Sequence, residues 1–187
     1  GFAETINTKG TIVRLPPTFI TANCMQNERY KKDTLIYLSA LQLMSVIIKP
    51  VAVAAAGRID TQTQKAWRSE FGQPGKVPLA LIVNSLIELT ELQPLRAILQ
   101  ETNKLLHWGY YLAFHRQNLA GTTDTLCKYT WQAYLYLEAR DIEGFSTYLA
   151  ICFSYILETI RDFIIQHGLQ EAAKLATPYK IPDLNIK

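Results

Sequence analysis

Apolar residues recur at three- and four-residue spacing over most of this chain, a pattern typical of helices that bury one face. The first such run opens at Asp33 or Thr34 and is interrupted at Pro50, and the pattern over residues 51–56 also allows a continuing kinked turn that Gly57 ends. Residues 35–56 are apolar over about the length needed to cross a bilayer, but they contain Lys49, and a charge within lipid is costly. We therefore expect a buried helix and no membrane span. The apolar positions of this helix are Leu35, Leu38, Leu41, Leu43 and Ile47.

Capping residues and glycine or proline breaks divide the rest of the chain into five further helices. The clearest break is the loop 72–76, which holds two glycines and a proline. Asp141 is a candidate N-cap for the last helix, which is apolar almost all round over residues 145–157, as expected of a central helix. The predicted segments are 60–72, 78–92, 94–118, one opening at Thr122, Thr123 or Asp124, and 141–168, with a short turn over 170–176.

The first thirty residues have a different pattern. Thr11–Leu15 and Thr18–Thr21 alternate and are rich in β-branched residues, with Pro16 and Pro17 between them. This favours an extended arm or one short hairpin. We therefore predict an all-α fold: a bundle of about six helices over residues 33–187, with a sub-boundary at 72–77, preceded by an extended basic arm over residues 1–32. The predicted core includes Leu38, Leu41, Ile82, Ile98, Trp108, Trp131, Leu149 and Ile156.

Charge is sparse and unevenly distributed. Of 187 residues, 49% are apolar and only 19% are charged, so we expect some apolar surface to face protein partners in an assembly or a homo-oligomer. Residues 1–77 hold ten Lys and Arg against five Asp and Glu, a net charge of +5, whereas residues 78–187 hold nine against eleven, a net charge of −2. The front half of the chain is therefore basic.

A basic face suits contact with a nucleic-acid backbone, because cationic side chains neutralise phosphates without reading bases. On the second predicted helix Gln62, Lys65 and Arg68 share one face at three-residue spacing, while Trp67 and Phe71 lie on another. The same pattern is also that of a solvated helix face above a core tryptophan. The residues predicted to contact DNA or RNA are Lys31, Lys32, Arg58, Gln62, Lys65, Arg68 and Lys76.

Metal, cofactor and redox chemistry have little support. His107 and His115 lie two helical turns apart, too far to share one metal ion. The chain lacks the common phosphate-loop, dinucleotide and zinc-protease patterns, so no metal or cofactor is predicted. The three cysteines are odd in number and far apart, and no secretory leader pattern precedes them, which predicts a reducing, cytoplasmic location.

Two resemblances supply alternatives. The segment from Arg161 to His167 resembles the arginine–histidine signature of HEPN ribonucleases, in which paired motifs of a dimer cleave RNA. That resemblance implies that His167 transfers protons and Arg161 stabilises phosphate charge, so His167→Ala would abolish cleavage. Residues 104–109 and 163–171 resemble two signature regions of the B-cell lymphoma family of apoptosis regulators, which implies a groove for a partner helix with Trp108 at its floor.

The leading hypothesis is based on low charge density, charge asymmetry and the lack of catalytic motifs. It is a non-catalytic helical subunit or segment of a larger nucleoprotein assembly, of the type of the small helical subunits in CRISPR effector complexes. Such a subunit contacts protein neighbours and holds a nucleic-acid strand by its phosphates. A ribonuclease and a helix-binding groove protein are the alternatives.

Overall fold

The computed structural model describes residues 2–6, 10–14, 28–71, 78–108 and 120–182. Within these ranges the predicted all-α bundle is confirmed, with six α-helices. Short 3₁₀ turns follow the first and the last helix, at Ala56–Arg58 and Gln170–Lys174. The helices are α1 (Glu28–Ala55), α2 (Thr61–Glu70), α3 (Leu79–Leu89), α4 (Gln93–Trp108), α5 (Ala120–Glu138) and α6 (Ile142–Gln166).

The N-terminal arm contains a two-stranded antiparallel hairpin. Strand β1 (Phe2–Ile6) pairs with β2 (Gly10–Arg14), and Phe2 lies opposite Arg14. The hairpin lies earlier in the chain than the alternating pattern indicates, because β2 pairs with residues before it. Prolines 16 and 17 cannot donate to a ladder, which disfavours pairing on that side. Thr18–Thr21 lies outside the described residues.

Helix α1 is longer at both ends than predicted. It begins at Glu28, so Lys31 and Lys32 belong to the bundle and the arm ends before residue 28, not at residue 32. Asp33 forms an ion pair with Arg29 one turn earlier instead of capping the helix. Pro50 does not interrupt the helix, which continues to Ala55 in agreement with the alternative of a continuing turn over residues 51–56.

Pro50 removes one backbone hydrogen bond, a loss of about 3 kcal/mol in a helix interior. Burial on both sides offsets this loss. Ile48, Val51, Ala52 and Ala55 are buried in the core, and Pro50 itself is on the exposed side. The proline therefore lies on the solvent-exposed side of α1, where the missing backbone hydrogen bond is open to water, while the buried side keeps the helix continuous.

The segment Lys31–Arg58 is long and apolar enough to cross a membrane by length and composition, and half of its most apolar window is buried inside the bundle. Here α1 packs most extensively against α6 and also against α4 and α3. Leu38, Met44 and Ile48 have no exposed surface. Tertiary packing thus uses the apolar character of α1 as part of a core.

Local capping explains how α2 and α6 begin. The carboxylate of Asp60 accepts a hydrogen bond from the Thr63 N–H group at 2.7 Å, and that of Asp141 accepts one from Gly144 at 2.8 Å. The cap at Asp141 is the predicted one, and the cap at Asp60 lies at the start of the predicted segment 60–72. At the other end of α6, Gly168 adopts a positive φ of 103°, which favours glycine and ends the helix.

The predicted start of α5 is wrong. The helix is already formed at Ala120, upstream of the cap candidates Thr122, Thr123 and Asp124. Gly121 lies inside it, and a helical glycine costs only about 1 kcal/mol relative to alanine, so it does not have to end a helix. The predicted continuation of α4 from Gly109 to Asn118 lies outside the described residues.

The predicted core is largely correct, with one error. Leu38, Leu41, Ile82 and Leu149 are buried, and Trp131 and Ile156 are partly buried against the same core. Ile98 is 50% exposed. Helix α4 carries two adjacent apolar rows, and the row containing the buried Leu99 packs inward, which leaves the row of Ile98 and Leu105 outside. The Trp108 side chain is outside the described part of the structure.

Candidate interfaces with protein and nucleic acid

The basic face of α2 is exposed, as the sequence predicts. Gln62, Lys65 and Arg68 all lie on the solvent side of the helix. Trp67 points the other way and is fully buried, with its indole N–H donating to Ser85 Oγ at 3.1 Å. Phe71 is partly buried in an aromatic cluster against α5. The helix therefore separates a polar outer face from an aromatic inner one.

Two of the predicted phosphate-binding arginines are already engaged by acidic and carbonyl groups. Arg58 forms an ion pair with Glu91 at 2.6 Å and donates to the Leu89 carbonyl at 3.2 Å, which ties the end of α1 to the end of α3. Arg68 forms an ion pair with Glu138 at 2.9 Å. Phosphate would have to compete with these carboxylates, so neither arginine is a free cation.

The lysines predicted as phosphate contacts fall into three situations. Lys31 pairs with Glu28 at 2.7 Å, and this hydrogen bond raises the lysine pKa above its usual value. Lys32 and Lys65 are exposed, and neither forms a hydrogen bond or an ion pair with another described residue. Lys76 lies outside those residues. Intramolecular pairing thus neutralises much of the predicted basic surface and leaves two lysines available.

Arg161 and His167 contact different groups in the described structure. Arg161 donates to the Leu175 carbonyl at 2.9 Å and to the Asp162 carboxylate. The Nδ1 atom of His167 lies 2.8 Å from the Phe163 carbonyl, and its ring stacks on that of Phe163. Six residues of separation place the two side chains about 120° apart around the helix axis. Each therefore has a structural role: Arg161 fastens the C-terminal segment, and His167 ends α6.

The C-terminal segment that Arg161 holds is fixed at further points. Gln42 donates to the Ala176 carbonyl at 2.7 Å, and the Tyr129 hydroxyl donates to the Pro182 carbonyl at 2.9 Å. Lys49 lies over the ring of Tyr179 while forming an ion pair with Glu143. These contacts tie residues 175–182 to α1, α5 and α6.

The histidines and cysteines are the candidates for metal binding and thiol chemistry. The described residues contain no group of three or more His, Cys, Asp or Glu side chains able to hold a metal ion. The side chain of His107 and the whole of His115 lie outside them. Cys152 is buried beside the Thr130 hydroxyl, and burial raises its pKa to about 12, so it remains a protonated thiol.

The most distinctive surface is apolar and lies along α1. Its members alternate at spacings of three and four residues, and each one is exposed. Four of them are large hydrophobic side chains with 41–49% of their surface in solvent. We call this surface the α1 stripe; it comprises Ile36, Ser39, Leu43, Val46, Pro50 and Val53.

A groove of about 500 Å³ adjoins the N-terminal half of the stripe. It lies between α1 and α4, with buried Leu169 among its lining residues. Its apolar wall includes Ile36 and Leu43 from α1 and Leu105 from α4, and all three are part-exposed. Charged residues gather at one end, where Glu28, Lys31, Lys32 and Glu171 line the opening.

Sequence reasoning missed the α1 stripe. The apolar spacing groups Leu43 with Leu38 and Leu41, because α1 is apolar on nearly every side and offers no polar face as a reference. The stripe does have a sequence signal, namely the alternation of three- and four-residue steps from residue 36 to residue 53. The neighbouring rows are apolar as well, so this signal is visible only once burial separates the rows.

Comparison with models of protein families, with curated proteins and with solved structures gives no match for this chain.

Proposed function

We propose that this chain is a helical subunit of a larger assembly and that it docks on a neighbouring protein through the α1 stripe. The observation that carries the proposal is the exposure of a continuous apolar row on the helix that otherwise forms the centre of the core. Soluble monomers rarely expose large contiguous apolar patches, because each square ångström of apolar surface in water is unfavourable.

The neighbouring helix enlarges this surface. Arg58, just after α1, contacts residues 89 and 91, which precede α4, while Leu105 near the other end of α4 lines the groove beside Ile36 and Leu43. Helices α1 and α4 are therefore antiparallel. Ile98, about a third of the way along α4, is exposed on the same row as Leu105, so α4 adds apolar side chains to this surface.

The stripe is tested by affinity purification of the full chain from its own cells. The variant Ile36→Ser, Leu43→Ser, Val46→Ser should lose, by about tenfold or more, the proteins that co-purify with the wild-type chain in fixed proportion. Leu81→Ser, which changes an exposed leucine on α3, is the matched control and should retain them. Equal recovery of the co-purifying proteins by the wild type, the triple variant and Leu81→Ser would contradict docking through α1.

A second candidate function is contact with a nucleic-acid backbone through the outer face of α2. It is favoured by Lys65 and Gln62, which are exposed side by side one turn apart. An ammonium group beside an amide suits phosphate and sugar oxygens, and such contacts position a strand without reading its sequence. Lys32 is a further exposed cation, on α1.

For this candidate we expect Lys65→Ala to weaken binding to DNA or RNA of every sequence alike. The slope of log affinity against log salt is negative, and its magnitude should decrease by about 0.7 to 0.9, depending on strand type. Arg68→Ala should change the slope less, since Glu138 already neutralises that arginine. Fluorescence anisotropy at several salt concentrations measures both values. Lys128→Ala makes an equal charge change on an exposed part of α5 and is the control. An identical slope for Lys65→Ala and wild type would exclude a phosphate contact at Lys65 on α2.

A further inference from the structure

We infer that the neighbour on the α1 stripe is a second copy of this chain, packed antiparallel along α1 about a twofold axis. This inference rests on the docking function proposed above and specifies the partner. It is drawn from the periodicity of the stripe, the side chains that an antiparallel register brings together, and the placement of charge at the two ends.

The periodicity points to a helix as the occupant. Steps of three and four residues alternate from Ile36 to Val53, which is the a/d spacing of helices that pack knobs into holes. The row spans about 26 Å, nearly five helical turns. A helix with the same spacing matches this row along its whole length, whereas a globular ligand or an extended peptide does not share its spacing.

The row also complements itself when reversed. A register centred between Leu43 and Val46 sets Leu43 against the partner's Val46 and Ile36 against the partner's Val53. The same register sets Ser39 against the partner's Pro50. Each of the four large apolar side chains thus faces another of similar size, and the twofold axis repeats each pairing, as an isologous interface requires.

The pairing of serine with proline has a polar component. Pro50 lacks an N–H group, so the Val46 carbonyl lacks its usual donor in the next turn on the exposed side of α1. In the antiparallel register the Ser39 hydroxyl of one copy faces this region of the other. That hydroxyl now donates to the Leu35 carbonyl at 2.7 Å, and a rotation about χ1 would redirect it to the partner's Val46.

Charge is nearly absent where the copies would meet and balanced where the contact ends. Between residues 34 and 57 the only charged residue is Lys49, which already pairs with Glu143. Counted in the same register, Arg29 of one copy faces the partner's Asp60. Lys31 faces the partner's Arg58, and each of these two cations is already paired with a carboxylate of its own chain. The Asp60 carboxylate is ionised at neutral pH, because its hydrogen bond from Thr63 lowers its pKa.

The first experiment measures the mass of the purified full chain by sedimentation equilibrium over a range of concentrations. We expect a reversible dimer, with dissociation constants raised about tenfold or more by Ile36→Ser, Leu43→Ser, Val46→Ser and unchanged by Leu81→Ser. Circular dichroism confirms that each variant is folded. A monomer at every concentration, or a dimer that the triple variant leaves intact, would overturn the inference.

The second experiment tests the register by cross-linking. In a background of Cys24→Ser and Cys127→Ser, buried Cys152 is retained. A tagged Ile36→Cys chain is mixed with an untagged Val53→Cys chain and treated with a short bismaleimide. We expect linkage between the two variants and little within either one alone. Linkage of Ile36→Cys to itself would indicate a parallel dimer and overturn the proposed packing.

The two proposals fail separately. If the purified chain is monomeric but the triple variant still loses its cellular partners, the second-copy inference is wrong and docking through the stripe stands. If the triple variant keeps both its mass and its partners, both proposals are wrong.

Discussion

Trp67→Ala is expected to lower the free energy of unfolding by about 3–5 kcal/mol. Trp67 is the largest fully buried side chain of α2 and has no exposed surface. Its ring stacks on Phe145 of α6 with ring centroids 6.5 Å apart, and its N–H group donates to Ser85 of α3. One side chain thus joins three helices, and its removal leaves both a cavity and a hydroxyl without its partner.

Urea denaturation followed by circular dichroism measures this change, at a fixed protein concentration because any dimer would add concentration-dependent stability. Trp67→Phe keeps most of the volume but loses the indole hydrogen bond, so it should cost clearly less than alanine. Lys65→Ala, two residues away on the outer face, should stay within about 0.5 kcal/mol. A loss below about 1 kcal/mol for Trp67→Ala would mean that α2 is not anchored by this residue.

Gly144→Ala should destabilise the protein by about 2 kcal/mol, although alanine is the better helix former. A Cβ atom at residue 144 would lie 2.6 Å from Cγ of Tyr136 and 2.9 Å from Oδ2 of Asp141. The first atom belongs to the base of an aromatic ring and the second to the carboxylate that caps α6. Either the ring or the cap would have to move, so the close approach of α5 to α6 requires glycine here.

Gly57→Ala is the matched control, because a Cβ atom there meets nothing within 4 Å. It should leave thermal stability nearly unchanged. Tyr136→Ala should remove most of the additional loss caused by Gly144→Ala, and a double-mutant cycle measures that coupling. Additive effects in the cycle would contradict the steric explanation and place the cost in the Asp141 cap.

The candidate surfaces show why residue type alone is a poor guide to function. Arg58 and Arg68 have the charge and spacing of phosphate ligands, yet carboxylates distant in sequence, Glu91 and Glu138, neutralise them. Arg161 fits a catalytic pattern, but it binds a carbonyl of the C-terminal segment. No periodicity predicts these partners, because each pair is formed by helices meeting in the fold.

By itself, the sequence determined the helical class, the cap at Asp141, the glycine that ends α6 and most of the buried positions. These features depend on local backbone chemistry and on which rows of a helix are apolar, and both can be read along the chain. Tertiary structure alone decided that α1 continues through Pro50, that Ile98 faces outward and that Leu43 belongs to an exposed stripe. Where a helix is apolar on several sides, only the position of its neighbours selects the row that is buried and the row that is left for a partner.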